Sequence, residues 1–140
     1  MTDVRKHAWD MAAEAEEEGD IDVLPVEEAH DEWAEDGDTV FLDVRDVRER
    51  WLEGAVPGDT HAPRGMLEFW ADPETKYYRD YFQTDTRYVC YCNEGGRSAL
   101  AAARLREMGY EDVAHLGGGF TAWQEAGKAV VDVPQKDYKG

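Results

Sequence analysis

The chain has 140 residues, of which 42% are hydrophobic and 34% charged, a composition and length typical of one soluble globular domain. Its net charge of −17 argues against nucleic acid and anionic membranes as partners. Because no run approaches the ~18 apolar residues of a membrane span and the first 20 residues lack the apolar core of a signal peptide, we expect the protein in the reducing cytoplasm.

Acidic residues are concentrated at the beginning of the chain. Residues 1–38 hold 15 of the 32 acidic side chains but only 2 of the 15 basic ones. We interpret residues 1–20 as an acidic, partly helical N-terminal arm that keeps the protein soluble, with a salt-adapted source as a second explanation. The arm either docks through its few apolar side chains or frays. A globular domain is expected over residues 21–130, followed by a C-terminal tail over residues 131–140.

Hydrophobic patterning along the chain predicts strands that alternate with helices. Pro25 opens one predicted helix and Gly109 ends another. This alternation indicates an α/β fold with a central parallel sheet and helices on both faces. The predicted strands are residues 21–24, 39–44, 88–91 and 113–116, with one edge strand allowed in the tail; the predicted helices are residues 25–35, 46–52, 63–70, 77–82, 97–108 and 120–126, and residues 54–63 are an irregular loop.

The stretch YVCYCNEGGRS combines a cysteine, two glycines and an arginine between a predicted strand and a predicted helix. Cys92 follows the strand directly, at the edge of an open α/β sheet where ligands bind. Gly95 and Gly96 allow the backbone to turn several N–H groups inward, and the helix start adds positive potential. We therefore expect Cys92 to be a thiolate nucleophile in an anion-binding loop. Cys90 lies within the strand without such donors and is predicted to belong to the core.

The spacing between Cys92 and Arg97 indicates which anion this loop holds. The two residues enclose a C-x4-R loop, one residue shorter than the C-x5-R loop of cysteine phosphatases. A tighter ring of amide donors suits a sulfur atom carried on the cysteine as a persulfide better than a phosphoryl group. A phosphatase or arsenate reductase is therefore disfavoured, and a simple structural turn with an inert cysteine is a further alternative.

Three segments carry a resemblance to a known family. The chain contains FLDVRDVRERWLEGAVPG, then APRGMLEFWADP, then YVCYCNEGGRSALAAARLREMGYEDVAHLGGGFTAW. From about residue 21 to residue 126 the sequence resembles the single-domain rhodanese family of sulfurtransferases. The resemblance implies a central parallel sheet of about five strands flanked by helices on both faces. It also implies that Cys92 accepts sulfane sulfur from thiosulfate or a persulfide and passes it to a thiol or cyanide.

The residues expected at the site fall into three groups. Arg64 is the candidate for binding the anionic end of the donor, with an ordinary surface cation as the alternative. Asp43 and Arg45 match the family's strand-end pair and are expected to tie the strand end to neighbouring loops. Arg97 either points to the anion or pairs outward with a carboxylate, and we favour a role in shaping the loop. The active-site loop comprises Asn93, Glu94, Gly95, Gly96, Arg97 and Ser98, whose amides are expected to stabilise the persulfide.

Two departures from the family pattern bear on the substrate. The segment GAVPG lacks the histidine of the usual G-H-I-P-G, so any role of that histidine is absent. Glu94 stands in the loop where many thiosulfate-using relatives carry a basic residue. Because its carboxylate would repel dianionic thiosulfate, we predict weak thiosulfate affinity and a persulfide, on a protein or a small molecule, as the donor.

The remaining polar residues are assigned no chemistry. His61 and His115 are predicted to be structural, because the thiolate mechanism needs no general base. The two cysteines and scattered histidines lack the ligand spacing of a zinc site, so neither a metal nor an organic cofactor is expected. The expected partners are a small sulfur donor and a thiol acceptor, or a protein sulfur acceptor. The alternative function is a non-enzymatic sulfur-carrier or partner-binding module with the acidic arm as its docking surface.

Overall fold

The computed structural model describes residues 2–35 and 37–136. Met1 of the predicted arm and residues 137–140 of the predicted tail lie outside the described residues. The elements are α1 (Ala8–Glu18), β1 (Asp22–Leu24), α2 (Val26–Glu35), β2 (Val40–Asp43), α3 (Val47–Glu53), β3 (Thr60–His61), a 3-10 turn (Arg64–Met66), α4 (Leu67–Trp70), β4 (Arg87–Tyr91), α5 (Gly96–Met108), β5 (Asp112–Leu116) and α6 (Gly119–Glu125).

The five strands form one parallel sheet in the order β1-β5-β4-β2-β3. In the central strand β4, Cys90 pairs with Leu42 of β2 on one side and with His115 of β5 on the other. The parallel α/β sheet of about five strands predicted from the sequence is thus confirmed. Because β2 and β4 run in the same direction, the residues that follow Asp43 and Tyr91 meet at one edge of the sheet.

Successive residues of the central strands point to opposite faces of the sheet, so their side chains belong to two apolar clusters, one on each face. Leu42 and Cys90 pack with Leu105 of α5 in the first cluster. Val89 and the buried Trp123 of α6 belong to the second. Helices therefore cover both faces, as the sequence pattern indicated. No helix within residues 2–35 and 37–136 combines the length and the apolar character that crossing a bilayer requires.

Helix α1 packs against α5 through small side chains. Ala12 and Ala15 are buried against Ala99, at the first turns of α5. Alanine allows the two helix backbones to approach closely, and Gly19, just after α1, leaves room for Ala103. The N-terminal arm is therefore docked over α5, while the proposed domain boundary at residue 20 stays a prediction.

The structure corrects three local expectations. Residues 77–82, predicted as a helix, form successive turns, because Phe82 buries its ring against Tyr88 and Tyr110 instead of continuing a helical stripe. The supposedly irregular residues 54–63 contain the short strand β3, which pairs with β2. The edge strand allowed in the tail is a single antiparallel bridge between Ala55 and Val131.

The burial of β2 leads to a stability prediction. Leu42 is fully buried, so Leu42→Ala should lower the free energy of unfolding by about 2–5 kcal/mol through lost apolar contact and the cavity left behind. The same truncation at Leu52, which is 82% exposed on α3, should change it by less than ~0.5 kcal/mol. Urea denaturation followed by tryptophan fluorescence measures both values, and equal effects at the two sites would contradict the described core.

Candidate active site

The sulfur of Cys92 is enclosed by the turn that joins β4 to α5. The residue is only 1% exposed, and its Sγ accepts hydrogen bonds from the N–H groups of Gly95 at 3.2 Å and Ser98 at 3.4 Å. The Cys92 thiol lies 3.5 Å from Ser98 Oγ, to which it donates. Converging N–H donors of this kind stabilise negative charge on the sulfur.

Glycines at two adjacent positions make this turn possible. Gly95, which caps α5, has φ of 98°, in the left-handed region where side chains cause strain. Gly96 begins the helix, and a Cβ at that position would lie 3.2 Å from the ring of Trp9. Glycine at residue 96 therefore lets Trp9 of α1 come down onto the loop.

A cavity of about 90 Å³ opens beside the sulfur and is lined by Trp9, Cys92, Glu94, Gly96 and Arg97. Glu94 is exposed and forms no ion pair with any residue in the described part of the chain. The cavity thus presents an uncompensated carboxylate next to the N–H donors of the loop.

Arg97 is held by a carboxylate of α3. Its two terminal nitrogens donate to the two oxygens of Glu49, each at 2.8 Å. This bidentate pair is a strong and directional contact that ties α5 to α3. The pairing supports a role of Arg97 in shaping the loop, which stays a prediction.

Arg64 pairs with a carboxylate of α4. It donates to Glu68 at 2.8 Å and lines a cleft of about 550 Å³ between α1 and α5. The described residues that line the Cys92 cavity do not include Arg64. Its expected role in donor binding stays a prediction.

Asp43 and Arg45 form a fully buried ion pair at the end of β2. Arg45 Nε and Nη2 donate to the Asp43 carboxylate at 3.0 and 2.9 Å. Burial disfavours the charged guanidinium, but the hydrogen bonds and charge of Asp43 outweigh it and raise the pKa of Arg45. Arg50 of α3 joins this network by donating to Asp43 at 2.7 Å and to Asp59 at 2.6 Å.

Asn93 connects this network to the active-site loop. Its Oδ1 accepts from Arg45 at 3.1 Å, and its amide nitrogen donates to Glu53 of α3. The carbonyls of Cys92 and Asn93 accept the N–H groups of Phe120 and Thr121 at the start of α6, at 2.7 and 3.1 Å. The carbonyls thus face α6, which leaves the N–H groups of the loop for the sulfur.

Cys90 has the properties of a core residue. Its side chain is fully buried within the first apolar cluster. Burial, with a smaller contribution from Cys92, raises the pKa of Cys90 to about 12. The thiol stays protonated and unreactive at neutral pH, which confirms the prediction that Cys90 belongs to the core.

A line of hydrogen bonds leads from the active-site loop to α1. Ser98 Oγ lies 2.9 Å from His115 Nδ1, and His115 Nε2 lies 2.7 Å from a carboxylate oxygen of Glu16. His115 is fully buried in β5. Burial lowers its pKa, while Glu16 acts in the opposite direction.

The sequence of the chain matches the model of a known protein family. The model described as the rhodanese-like domain matches residues 26–126. The chain belongs to the rhodanese-like domain family. The resemblance noted in the sequence is thereby confirmed.

Solved structures of other proteins resemble the chain over most of its length. A Rhodopseudomonas palustris protein, described as of unknown function and a possible tyrosine phosphatase, is 40% identical with a TM-score of 0.85, covering 94% of this chain and 98% of that one. The polysulfide-sulfur transferase homodimer of Wolinella succinogenes is 27% identical with a TM-score of 0.70, covering 94% and 91%.

Curated relatives match shorter stretches of this rhodanese-like domain. A sulfurtransferase of Allochromatium vinosum is 43% identical over 47 residues, which are 34% of this chain and 44% of that protein. The mitochondrial protein HIGH ARSENIC CONTENT 1 of Arabidopsis thaliana is 44% identical over 55 residues, 39% of this chain and 32% of that protein. The alignments therefore span less than half of these relatives' length.

Two residues that the structure connects to the loop carry no functional signal in the sequence. The pattern around His115 predicts only a structural role, although the parallel register places it beside Cys90, two residues before the loop cysteine. Glu16 is one of several charges in the acidic arm. Its contact depends on the docking of α1, for which the alanines of that helix were the available signal. Among residues 2–35 and 37–136, no group of His, Cys, Asp or Glu side chains is arranged to hold a metal ion.

The pair between Glu49 and Arg97 predicts a pH dependence of stability. The hydrogen bond from Arg97 outweighs burial and lowers the pKa of Glu49 below its ordinary 4.5. A carboxyl with a lowered folded-state pKa stabilises the fold above its unfolded pKa, and the effect is lost as pH falls through the folded value. Glu49→Gln should therefore cost up to ~1 kcal/mol at pH 7, since the pair is partly exposed, and progressively less in acid.

Denaturation with urea between pH 7 and pH 3 measures this difference. Glu28→Gln on α2 is the control, because Glu28 is exposed and unpaired among the described residues. A Glu49→Gln deficit that stays constant across the pH range would show that the ion pair does not stabilise the fold.

Proposed function

We propose that this rhodanese-like domain is a sulfurtransferase that carries sulfane sulfur as a persulfide on Cys92. The observation that carries the proposal is the nearly buried Cys92 sulfur, held by the N–H groups of Gly95 and Ser98 at the start of α5. The names of the Allochromatium and Wolinella relatives support the same chemistry. A reducing compartment such as the cytoplasm, which keeps a single reactive thiol free of disulfides, is the proposed location.

The first half-reaction loads the cysteine. The Cys92 thiolate attacks the sulfane sulfur of the donor, and a bond forms between Sγ and that sulfur. The donor's own bond to this sulfur breaks, and its electron pair leaves with the remainder of the donor, which is sulfite when the donor is thiosulfate. The terminal sulfur of the persulfide carries negative charge, which the loop N–H groups stabilise.

The second half-reaction unloads it. A thiolate or cyanide attacks the terminal sulfur, forms a bond to it, and releases Cys92 as the thiolate. Because donor and acceptor react in turn with one covalent intermediate, the kinetics are ping-pong. A protein thiol serves as acceptor by the same chemistry.

A phosphatase is the second candidate, because the Rhodopseudomonas neighbour is described as a possible tyrosine phosphatase. Two features of the site favour sulfur. The loop from Cys92 to Arg97 is short, and Arg97 is engaged by Glu49 rather than left for a phosphate. Glu94, which lines the cavity beside Cys92, adds repulsion toward a phosphate dianion.

A non-enzymatic sulfur carrier differs from an enzyme by its turnover. Deletion of residues 1–20 does not separate the two, because this segment contains Trp9 of the cavity wall. Repeated turnover with a small acceptor such as cyanide is expected of the enzyme, whereas a carrier would release one sulfur only to its partner.

Mass spectrometry of the intact protein tests the persulfide directly. After incubation with thiosulfate or a small-molecule persulfide, we expect a mass gain of one sulfur atom in the wild type. Cys90→Ser should keep this gain, because Cys90 is buried and protonated, and Cys92→Ser should lose it.

The same preparations separate the alternatives. No adduct with any sulfane donor would sink the proposed function. Hydrolysis of p-nitrophenyl phosphate that disappears in Cys92→Ser would establish the phosphatase in its place.

Glu94 is proposed to determine which donor the site accepts. Two unit charges about 4 Å apart in water interact by ~1 kcal/mol, so removing the carboxylate should lower KM for thiosulfate by about two- to tenfold. Steady-state kinetics of Glu94→Gln measure the change, and Glu94→Asp, which keeps the charge, should resemble the wild type. Added salt should shrink the difference. A micromolar KM for thiosulfate that Glu94→Gln leaves unchanged would contradict this role.

A further inference from the structure

We propose that Ser98, His115 and Glu16 form a proton relay that takes the proton from the Cys92 thiol and returns it after sulfur transfer. The proposal deepens the proposed function and rests on it, because it concerns how the nucleophile of that reaction is activated. The loop N–H groups stabilise the thiolate, but they cannot accept the proton of the thiol. Another group must therefore take that proton.

The relay is continuous from the sulfur to the surface. The thiol donates to Ser98 Oγ at 3.5 Å, Ser98 Oγ lies 2.9 Å from His115 Nδ1, and His115 Nε2 lies 2.7 Å from Glu16. Cys92, Ser98 and His115 are each at most 1% exposed, whereas the Glu16 side chain is 36% exposed. The proton of a buried thiol therefore has a hydrogen-bonded route to a carboxylate in contact with water.

The direction of each hydrogen bond follows from the partner at the far end. An ionised carboxylate only accepts, so the His115 Nε2–H donates to Glu16. The neutral ring then has an unprotonated Nδ1, which accepts the Ser98 hydroxyl proton. The Ser98 oxygen is in turn left to accept from the Cys92 thiol. All three contacts are satisfied by this one arrangement of protons.

The transfer balances without another reactant. The S–H bond of Cys92 breaks and its proton passes to Ser98 Oγ, while the hydroxyl proton of Ser98 passes to His115 Nδ1. The products are the Cys92 thiolate, a neutral serine and an imidazolium that the Glu16 carboxylate stabilises, the arrangement that orients a histidine base in catalytic triads. When the acceptor takes the sulfur and Cys92 leaves as a thiolate, the same steps run in reverse.

The surroundings of His115 suit a base. Its register partners are Val23 of β1 and Cys90 of β4, neither of which is charged at neutral pH. Helix α5 contributes Ser98 and α1 contributes Glu16, the one charged group hydrogen-bonded to the ring in the described part of the chain. Burial lowers the pKa of His115, which keeps the ring neutral at rest, and Glu16 acts in the opposite direction, so the carboxylate is the group that favours the uptake of a proton by the ring.

The pH dependence of Cys92 alkylation by iodoacetamide tests the relay in the full-length chain. The rate of alkylation reports the thiolate, and Cys90→Ser serves as the background that leaves one thiol. In His115→Asn, an amide replaces the ring and bonds to Ser98 without taking up a proton. We expect the half-maximal rate to move up by about one pH unit, so that the rate on the acidic side of the profile falls by up to about tenfold.

Glu16→Gln and its matched control Glu17→Gln provide the decisive comparison. The amide keeps a hydrogen-bond acceptor for His115 but removes the charge that stabilises the imidazolium, so we expect the rate at pH 7 to fall about threefold. Glu17→Gln makes the same change in net charge on the same helix, where Glu17 is exposed and without a partner among the described residues. It should leave the profile unchanged.

The outcomes separate this proposal from the function on which it rests. Unchanged profiles in His115→Asn and Glu16→Gln would overturn the relay, as would equal shifts in Glu16→Gln and Glu17→Gln. Circular dichroism of each variant establishes that the fold is kept, and Glu16→Gln decides the matter if His115→Asn does not fold. Alkylation needs no sulfur donor, so a failure of persulfide formation with intact profile shifts would count against the sulfurtransferase alone.

Discussion

The position of the active-site loop depends on one buried ion pair, between Asp43 and Arg45. Removing two charges from water is costly, and the pair is tolerated because every polar atom has a partner. Beyond Asp43, the guanidinium donates to Asn93 and to the carbonyl of Gly54, and it stacks 4.5 Å above the ring of Phe120. One side chain just after β2 thereby positions the loop after β4, the loop after α3 and the start of α6. Loss of Asp43 would leave the buried guanidinium of Arg45 without an ion-pair partner among the described residues, whereas loss of Arg45 would leave Asp43 paired with Arg50 alone.

Helix α1 is part of the site rather than an appendage to it. Its alanines bring the helix close to α5, and this approach places Trp9 on the loop and Glu16 on His115. The concentration of acidic residues near the N-terminus suggested only a solvated arm. In the structure one of these carboxylates has a buried partner while its neighbours face water. The number of charges in this segment therefore does not reveal that Glu16 contacts the buried His115.

The sequence was sufficient for the sheet and for the positions of the two cysteines. Strand periodicity and paired glycines are local signals, and they placed Cys92 after β4 and Cys90 in the core. The helix predicted at residues 77–82 is wrong. The spacing of the aromatic residues there is typical of the apolar face of a helix, whereas the rings pack into the core from turns. The contact between His115 and Glu16 joins residues 99 positions apart, so it follows only from tertiary packing. Arg64 by contrast pairs with Glu68 four positions on, a local spacing that is visible in the sequence.

The burial of Cys92 has a consequence for where an acceptor attacks. A persulfide offers two electrophilic sulfurs: attack on the outer one transfers sulfur, whereas attack on the inner one yields a mixed disulfide and expels hydrosulfide. With the cysteine only 1% exposed and its Sγ enclosed by loop N–H groups, the inner sulfur of the proposed persulfide would be shielded from an attacking nucleophile. In the proposed reaction, the depth of this single atom would therefore direct the acceptor to the outer sulfur and prevent loss of the transferred sulfur as sulfide.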